Sequence, residues 1–144
     1  MKFITVEQFL KADVKVQNAI LKWWKPSVGD LVSTKDNNKY CVIDNFVEAI
    51  NCCSLNLYNS INCTVTKNEV VPLLTEGQLI ELIENKLGGR INIGYLPMGY
   101  DIKMWDDDFS RVLLYFSELG HDLLQALWQV AIKIIKGDVK NEEM

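Results

Sequence analysis

The carboxylates whose spacing suggests chemistry are those of the acidic run Asp106-Asp107-Asp108, with Asp101 shortly before it. A Mg²⁺ or Mn²⁺ site needs such oxygen ligands to converge within a few ångströms of the ion. If they converged, the chain would be a small metal-dependent hydrolase or nuclease. Consecutive residues of a hairpin turn usually diverge into water, and we therefore favour a solvated turn.

Cysteine and histidine provide the other reactive groups. Cys41, Cys52, Cys53 and Cys63 lie in the first half of the chain, whereas the single histidine, His121, lies far along it. A four-thiolate zinc site is conceivable, but no Cys-x-x-Cys occurs, and the adjacent pair would point to opposite faces of a strand. We interpret the cysteines as free thiols and His121 as a polar residue in the first turn of the last helix.

The glycines do not form a phosphate-binding motif. Gly88-Gly89-Arg90, Gly94 and Gly99 lack the Walker spacing and lack a glycine-rich turn that leads from a strand into a helix. No nucleophile elbow and no zinc-protease motif occurs either. The sequence therefore favours a protein that is not an enzyme, and it predicts no cofactor and no metal.

The run of aromatic and apolar residues from Tyr95 to Tyr100, which follows Gly94 and contains Gly99, predicts an exposed contact surface. Tyrosine and methionine are enriched in the cores of protein interfaces, and acidic neighbours suit the rim. The alternative is that this run folds back on the domain. Trp23 and Trp24 also suggest a binding site, and the alternative is that at least one of them roofs the core, with Trp24 the more exposed of the two. The candidate contact residues are Tyr95, Leu96, Met98, Tyr100, Trp105, Asp106, Asp107 and Trp24.

Composition limits the class of protein. The chain has 144 residues, of which 49% are hydrophobic, and this suits one compact domain spanning 1–144. Its net charge of -4 argues against a surface for nucleic-acid phosphates. No signal peptide or membrane-spanning run is visible, so we expect a cytoplasmic protein with no membrane partner.

The first half of the domain, the sub-lobe 1–73, reads as helices followed by short strands. Thr5 with Gln8 is a capping box, a second helix runs from Val14 until Pro26 breaks it, and alternating apolar residues then predict strands. These strands fit a small antiparallel SH3-like lobe, with Pro72 on an edge strand or at a strand end. The segment 46–49 fits either a loop or a helical turn.

The second half, the sub-lobe 74–144, reads as helix, three antiparallel strands and helix. Thr75 with Gln78 caps the first helix, and Gly88 ends it. The apolar run up to Phe116 predicts a central buried strand, and Ser117 then caps a long last helix. The fold class is therefore α+β, with two helices covering one face of a sheet.

Three segments together resemble small, mostly uncharacterised phage and prophage proteins of Gram-positive bacteria. They are WKPSVGDLV at 24–32, VPLLTEGQLIELI at 71–83 and DLLQALW at 122–128. The resemblance implies an accessory protein that binds and modulates or inhibits a host factor, in some cases within anti-phage defence. The implied partner is a host protein or a small signalling ligand, located in the host cytoplasm. A metal-dependent hydrolase and a homo-oligomeric structural protein are the alternatives.

Overall fold

The structure, a computed structural model, describes residues 2–34, 41–49, 52–58 and 63–137. It divides into two compact units, Ile4–Leu74 and Met1–Phe3 with Thr75–Met144. Helices and antiparallel sheets occur in both, which confirms the α+β class. The predicted sub-lobes 1–73 and 74–144 divide the chain one residue earlier. That they form a single domain stays a prediction.

The unit Ile4–Leu74 begins with two helices. Helix α1 spans Val6–Lys11, and its predicted capping box is present: the Thr5 side chain accepts from the N–H of Gln8. Helix α2 spans Val14–Trp23. It ends ahead of Pro26, because the residue before a proline is pushed out of the helical region.

A five-stranded antiparallel sheet forms the rest of this unit. The strands are β1 Leu31–Thr34, β2 Cys41–Ala49, β3 Cys52–Tyr58, β4 Cys63–Thr66 and β5 Val70–Pro72, in the spatial order β4-β3-β2-β1-β5. Pro72 therefore lies on an edge strand as predicted. The expectation of a loop or a helical turn at 46–49 is wrong, because these residues continue β2 and pair with β3. The predicted turns at 36–38 and 59–60 lie outside the described residues. Closure into an SH3-like lobe stays a prediction.

Trp24 belongs to the core of this unit, so the prediction that it is the more exposed tryptophan is wrong. Its side chain is 2% exposed and clusters with Val32, Ile43 and Val70. The indole N–H donates to Oδ2 of Asp30 at 3.0 Å. The ring can be buried because this hydrogen bond satisfies its polar N–H.

The second unit has the predicted order of helix, three strands and helix. The elements are α3 Glu76–Leu87, β6 Arg90–Leu96, β7 Gly99–Trp105, β8 Val112–Phe116 and α4 Leu123–Lys136. The sheet order is β6-β7-β8, so the predicted central position of the 110–116 run is wrong. The central strand is β7, where the buried Ile102 and Met104 alternate with half-buried neighbours.

The caps of α3 are as predicted, whereas the start of α4 is not. Thr75 and Gln78 form the capping box, and Gly88 ends α3 in the left-handed region with φ 65°. Helix α4 begins at Leu123, because the Asp122 side chain accepts from the N–H of Gln125. Ser117 is therefore not its cap. The left-handed Glu118, with φ 55°, and Gly120, with φ 87°, keep this stretch out of the helix.

Candidate interaction surface

The predicted contact residues lie in three separate places. Tyr95 and Leu96 end β6, Met98 lies in the two-residue turn, and Tyr100 lies at the start of β7; we call residues 95–100 the hairpin tip. Trp105, Asp106 and Asp107 lie at the opposite end of β7, about 20 Å away at about 3.3 Å per residue. Trp24 is buried in the other unit. The hairpin tip and the turn that contains Asp106, Asp107 and Asp108, which we call the acidic turn, are therefore two surfaces rather than one.

The hairpin tip exposes apolar side chains. Tyr95 is 59% exposed, Leu96 42% and Met98 66%, whereas Tyr100 is half-buried. No charged residue occurs between Ile91 and Tyr100. Single exposed apolar residues are ordinary on protein surfaces, but three large ones within the four positions 95–98 mark this hairpin as a candidate contact site.

The backbone of the hairpin tip is held by the segment Leu119–His121, which we call the brace. The N–H of Tyr100 donates to the carbonyl of Gly120 at 2.8 Å, and the N–H of Leu119 donates to the carbonyl of Tyr100 at 3.1 Å. Gly99 has φ 125°, and a Cβ added there would lie 2.7 Å from the carbonyl oxygen of Gly120. Glycine is therefore required where the two backbones meet. Leu119 is buried and anchors the brace.

His121 of the brace contacts the hairpin tip, and nothing in the sequence indicated this contact. Its Nδ1 lies 2.8 Å from the hydroxyl of Tyr95, and the two rings meet edge to face at 5.8 Å. The rings of Tyr95 and Tyr100 lie 4.5 Å apart. The prediction that His121 lies in the first turn of the last helix is wrong, because it precedes the Asp122 cap. No spacing rule connects it with Tyr95.

The acidic turn is closed by its own first carboxylate. Asp106 accepts from the hydroxyl of Ser110 at 2.7 Å, from its N–H at 2.8 Å and from the N–H of Arg111 at 3.2 Å. The hydrogen bond from the Ser110 hydroxyl is the main reason why the pKa of Asp106 lies below its usual value. Phe109 is left-handed at φ 58°, and its exposed ring lies 6.5 Å from that of Trp105.

The carboxylates of the proposed metal site point to different partners. Asp101 accepts from the hydroxyl of Tyr115 at 3.2 Å, whereas Asp106 is occupied within its turn. Among the residues that the structure describes, no three His, Cys, Asp or Glu side chains are grouped to hold a metal ion. The thiols of Cys41, Cys52, Cys53 and Cys63 lie outside the described side chains.

A shallow groove lies between the end of α3 and the acidic turn. Its volume is about 320 Å³, and its lining is Glu81, Glu84, Asn85, Gly88, Gly89, Arg90 and Asp107. One lining carboxylate, Glu84, accepts from the N–H of Ile91 at 3.0 Å and so ties α3 to β6. With three carboxylates against one guanidinium, the lining has the wrong net charge for binding phosphate.

Comparison with known proteins gives no relative from which a function could be transferred. A scan against protein-family models, a search of curated proteins and a search of solved structures each found no match to this chain. In the part of the chain that the structure describes, no helix is long and apolar enough to cross a membrane.

Proposed function

We propose that this chain is a non-enzymatic accessory protein of phage type, which binds a host protein through the hairpin tip and modulates or inhibits it. Anti-phage defence is one setting for such a protein, and the host cytoplasm is its proposed location. The observation that carries the proposal is the exposed apolar group of Tyr95, Leu96 and Met98 on a backbone fixed by the brace.

Burial of this group would supply binding free energy at a low entropic cost. Each large apolar side chain contributes about 1.5–3 kcal/mol when it is fully removed from water. Because hydrogen bonds to Gly120 and from Leu119 already fix the backbone at Tyr100, little ordering remains to be done on binding. Tyrosine is also among the residues that most often dominate interface energetics.

The form of the surface favours a protein as the partner. Small ligands bind in concave pockets that enclose most of their surface, whereas a two-residue turn between paired strands projects outward. A partner with a concave apolar pocket complements such a tip. A small signalling ligand is therefore the weaker form of the proposal, and a second copy of this chain is an alternative partner that the experiment must separate.

The test is affinity capture from a Gram-positive host lysate with three forms of the full chain. They are the wild type, the double variant Tyr95→Ser/Met98→Ser, and Val28→Ser, whose parent side chain is also 66% exposed. The wild type and Val28→Ser should retain one host protein equally. The double variant should retain at least about tenfold less, as the loss of about 1.4 kcal/mol requires.

Capture of no host protein by the wild type would overturn this proposal, and so would either of two further results. One is equal capture by all three forms when their unfolding midpoints agree. The other is sedimentation in which the wild type self-associates and the double variant is a monomer, because the partner would then be a second copy.

A further inference from the structure

We infer that Met98 is a site of reversible oxidation by hydrogen peroxide, and that its oxidation weakens binding through the hairpin tip. The second half of this inference rests on the proposed function. The first half is a statement about the reactivity of one side chain and stands without it.

Accessibility separates Met98 from the other methionine that the structure describes. Met98 lies on the turn between β6 and β7 and is 66% exposed, whereas Met104 lies on the central strand β7 and is 0% exposed. Peroxide oxidation requires the oxidant to reach the sulfur, and susceptibility accordingly follows exposure. Two side chains six positions apart are thus expected to differ strongly in rate.

The reaction is a two-electron oxygen transfer. A lone pair of the thioether sulfur attacks one oxygen of the peroxide, the S–O bond forms, and the O–O bond breaks. The departing oxygen takes up the proton of the transferred one and leaves as water. The sulfur loses two electrons and the peroxide gains them. Methionine sulfoxide reductases, which draw two electrons from thiols, restore the thioether.

The product is unsuited to an apolar contact. The sulfoxide oxygen is a strong hydrogen-bond acceptor, and its burial against an apolar pocket without a donor is unfavourable. We expect capture of the partner to fall at least about tenfold on oxidation, a loss of about 1.4 kcal/mol.

Peptide mapping tests the site itself. The full chain is treated with hydrogen peroxide, returned to dithiothreitol to reverse cysteine oxidation, and digested with trypsin. The two methionines fall in different tryptic peptides, Ile91–Lys103 and Met104–Arg111. The sulfoxide should form at residue 98 at least about tenfold faster than at residue 104 in the folded chain, and at similar rates in urea. Equal rates in the folded chain would overturn the site.

Capture tests the consequence with Met98→Leu as the matched variant, since leucine has a similar volume and does not oxidise. Oxidised wild type should lose the host protein and reductase should restore it, whereas capture by Met98→Leu, whatever its level before treatment, should not change on oxidation. Equal loss by oxidised Met98→Leu would overturn the regulatory half of the inference. Selective oxidation without any capture by the reduced wild type would instead overturn the proposed function, and the modification site would stand.

Discussion

The hydroxyl of Tyr95 lies 2.8 Å from Nδ1 of His121, although 26 residues separate the two along the chain. The contact connects β6 with the brace, which also pairs with Tyr100 through two backbone hydrogen bonds. The brace thus fixes both the side chain of Tyr95 and the backbone of Tyr100 in the hairpin tip. A preformed tip of this kind is what a rigid contact surface requires.

His121→Ala should release the Tyr95 ring with little loss of stability. Both side chains are exposed, so the free energy of unfolding should fall by no more than about 1 kcal/mol. Tyr95→Phe removes the same hydrogen bond from the other side, and the two effects should therefore not add in the double variant. Urea unfolding of the four proteins in the cycle measures this. Strict additivity would show that the hydrogen bond contributes nothing in solution.

Gly99→Ala should destabilise the second unit by about 2 kcal/mol, because the new Cβ meets the carbonyl of Gly120 and because φ 125° is strained for alanine. Gly77→Ala is the matched control. Gly77 lies in the first turn of α3 with no atom within 4 Å of an added Cβ, so this change should stabilise by up to about 0.5 kcal/mol. Thermal unfolding of both variants should move the midpoint in opposite directions. A midpoint for Gly99→Ala that equals the wild type would contradict the described contact.

Leu82→Asp should unfold the second unit, whereas Glu81→Ala should change its stability by less than about 0.5 kcal/mol. Leu82 is 0% exposed in α3, and an unpaired carboxylate there has neither solvent nor a partner. Glu81 is its exposed neighbour in the same helix. Far-ultraviolet circular dichroism at 25 °C distinguishes the two outcomes. A folded Leu82→Asp protein would show that α3 is not part of the core.

Asp106 should make stability depend on pH in the acid range. Its pKa in the folded chain is lowered, chiefly by the Ser110 hydroxyl, so the unfolded chain binds the proton more tightly. The stabilisation is therefore complete at a pH well above about 3.9, the pKa of this carboxyl in the unfolded chain, and it is lost as the pH falls through the folded pKa. The difference in unfolding free energy between the wild type and Asp106→Asn should shrink from about pH 6 to about pH 3.

The matched control for the hydrogen bonds of this turn is the neighbouring exposed residue, Asp107. At pH 6, Asp107→Asn should lower the free energy of unfolding less than Asp106→Asn does, because Asp106 rather than Asp107 accepts the hydrogen bonds that close the turn. A difference for Asp106→Asn that does not change with pH would mean that the turn is open in solution.

Local signals predicted the elements whose ends are encoded within a few residues. The capping boxes at Thr5 and Thr75 and the stop at Gly88 were predictable, because each is satisfied by side chains or φ angles next to it in sequence. The start of α4 was not. Both Ser117 and Asp122 are good caps, and only the left-handed Glu118 and Gly120 decide between them.

Strand order and side-chain direction depend on long-range packing, and this explains the other errors. An apolar run such as Val112–Phe116 is compatible with a central strand and with an edge strand, because an edge strand can also be buried by neighbouring elements. The burial of Trp24 depends on its cluster with Val32, Ile43 and Val70, which no spacing along the chain encodes. The exposed members of the hairpin tip were predictable from turn residues and composition, whereas the contribution of His121 depends on a contact across 26 positions.

Site-specific photo-crosslinking tests the central claim most directly. A photoreactive phenylalanine is placed at position 98 of the hairpin tip or at position 28, where the native side chains are each 66% exposed. After irradiation in a Gram-positive host, position 98 should give a covalent adduct with one host protein and position 28 should not. No adduct at position 98, or the same adducts at both positions, would contradict the assignment of the hairpin tip as the contact surface.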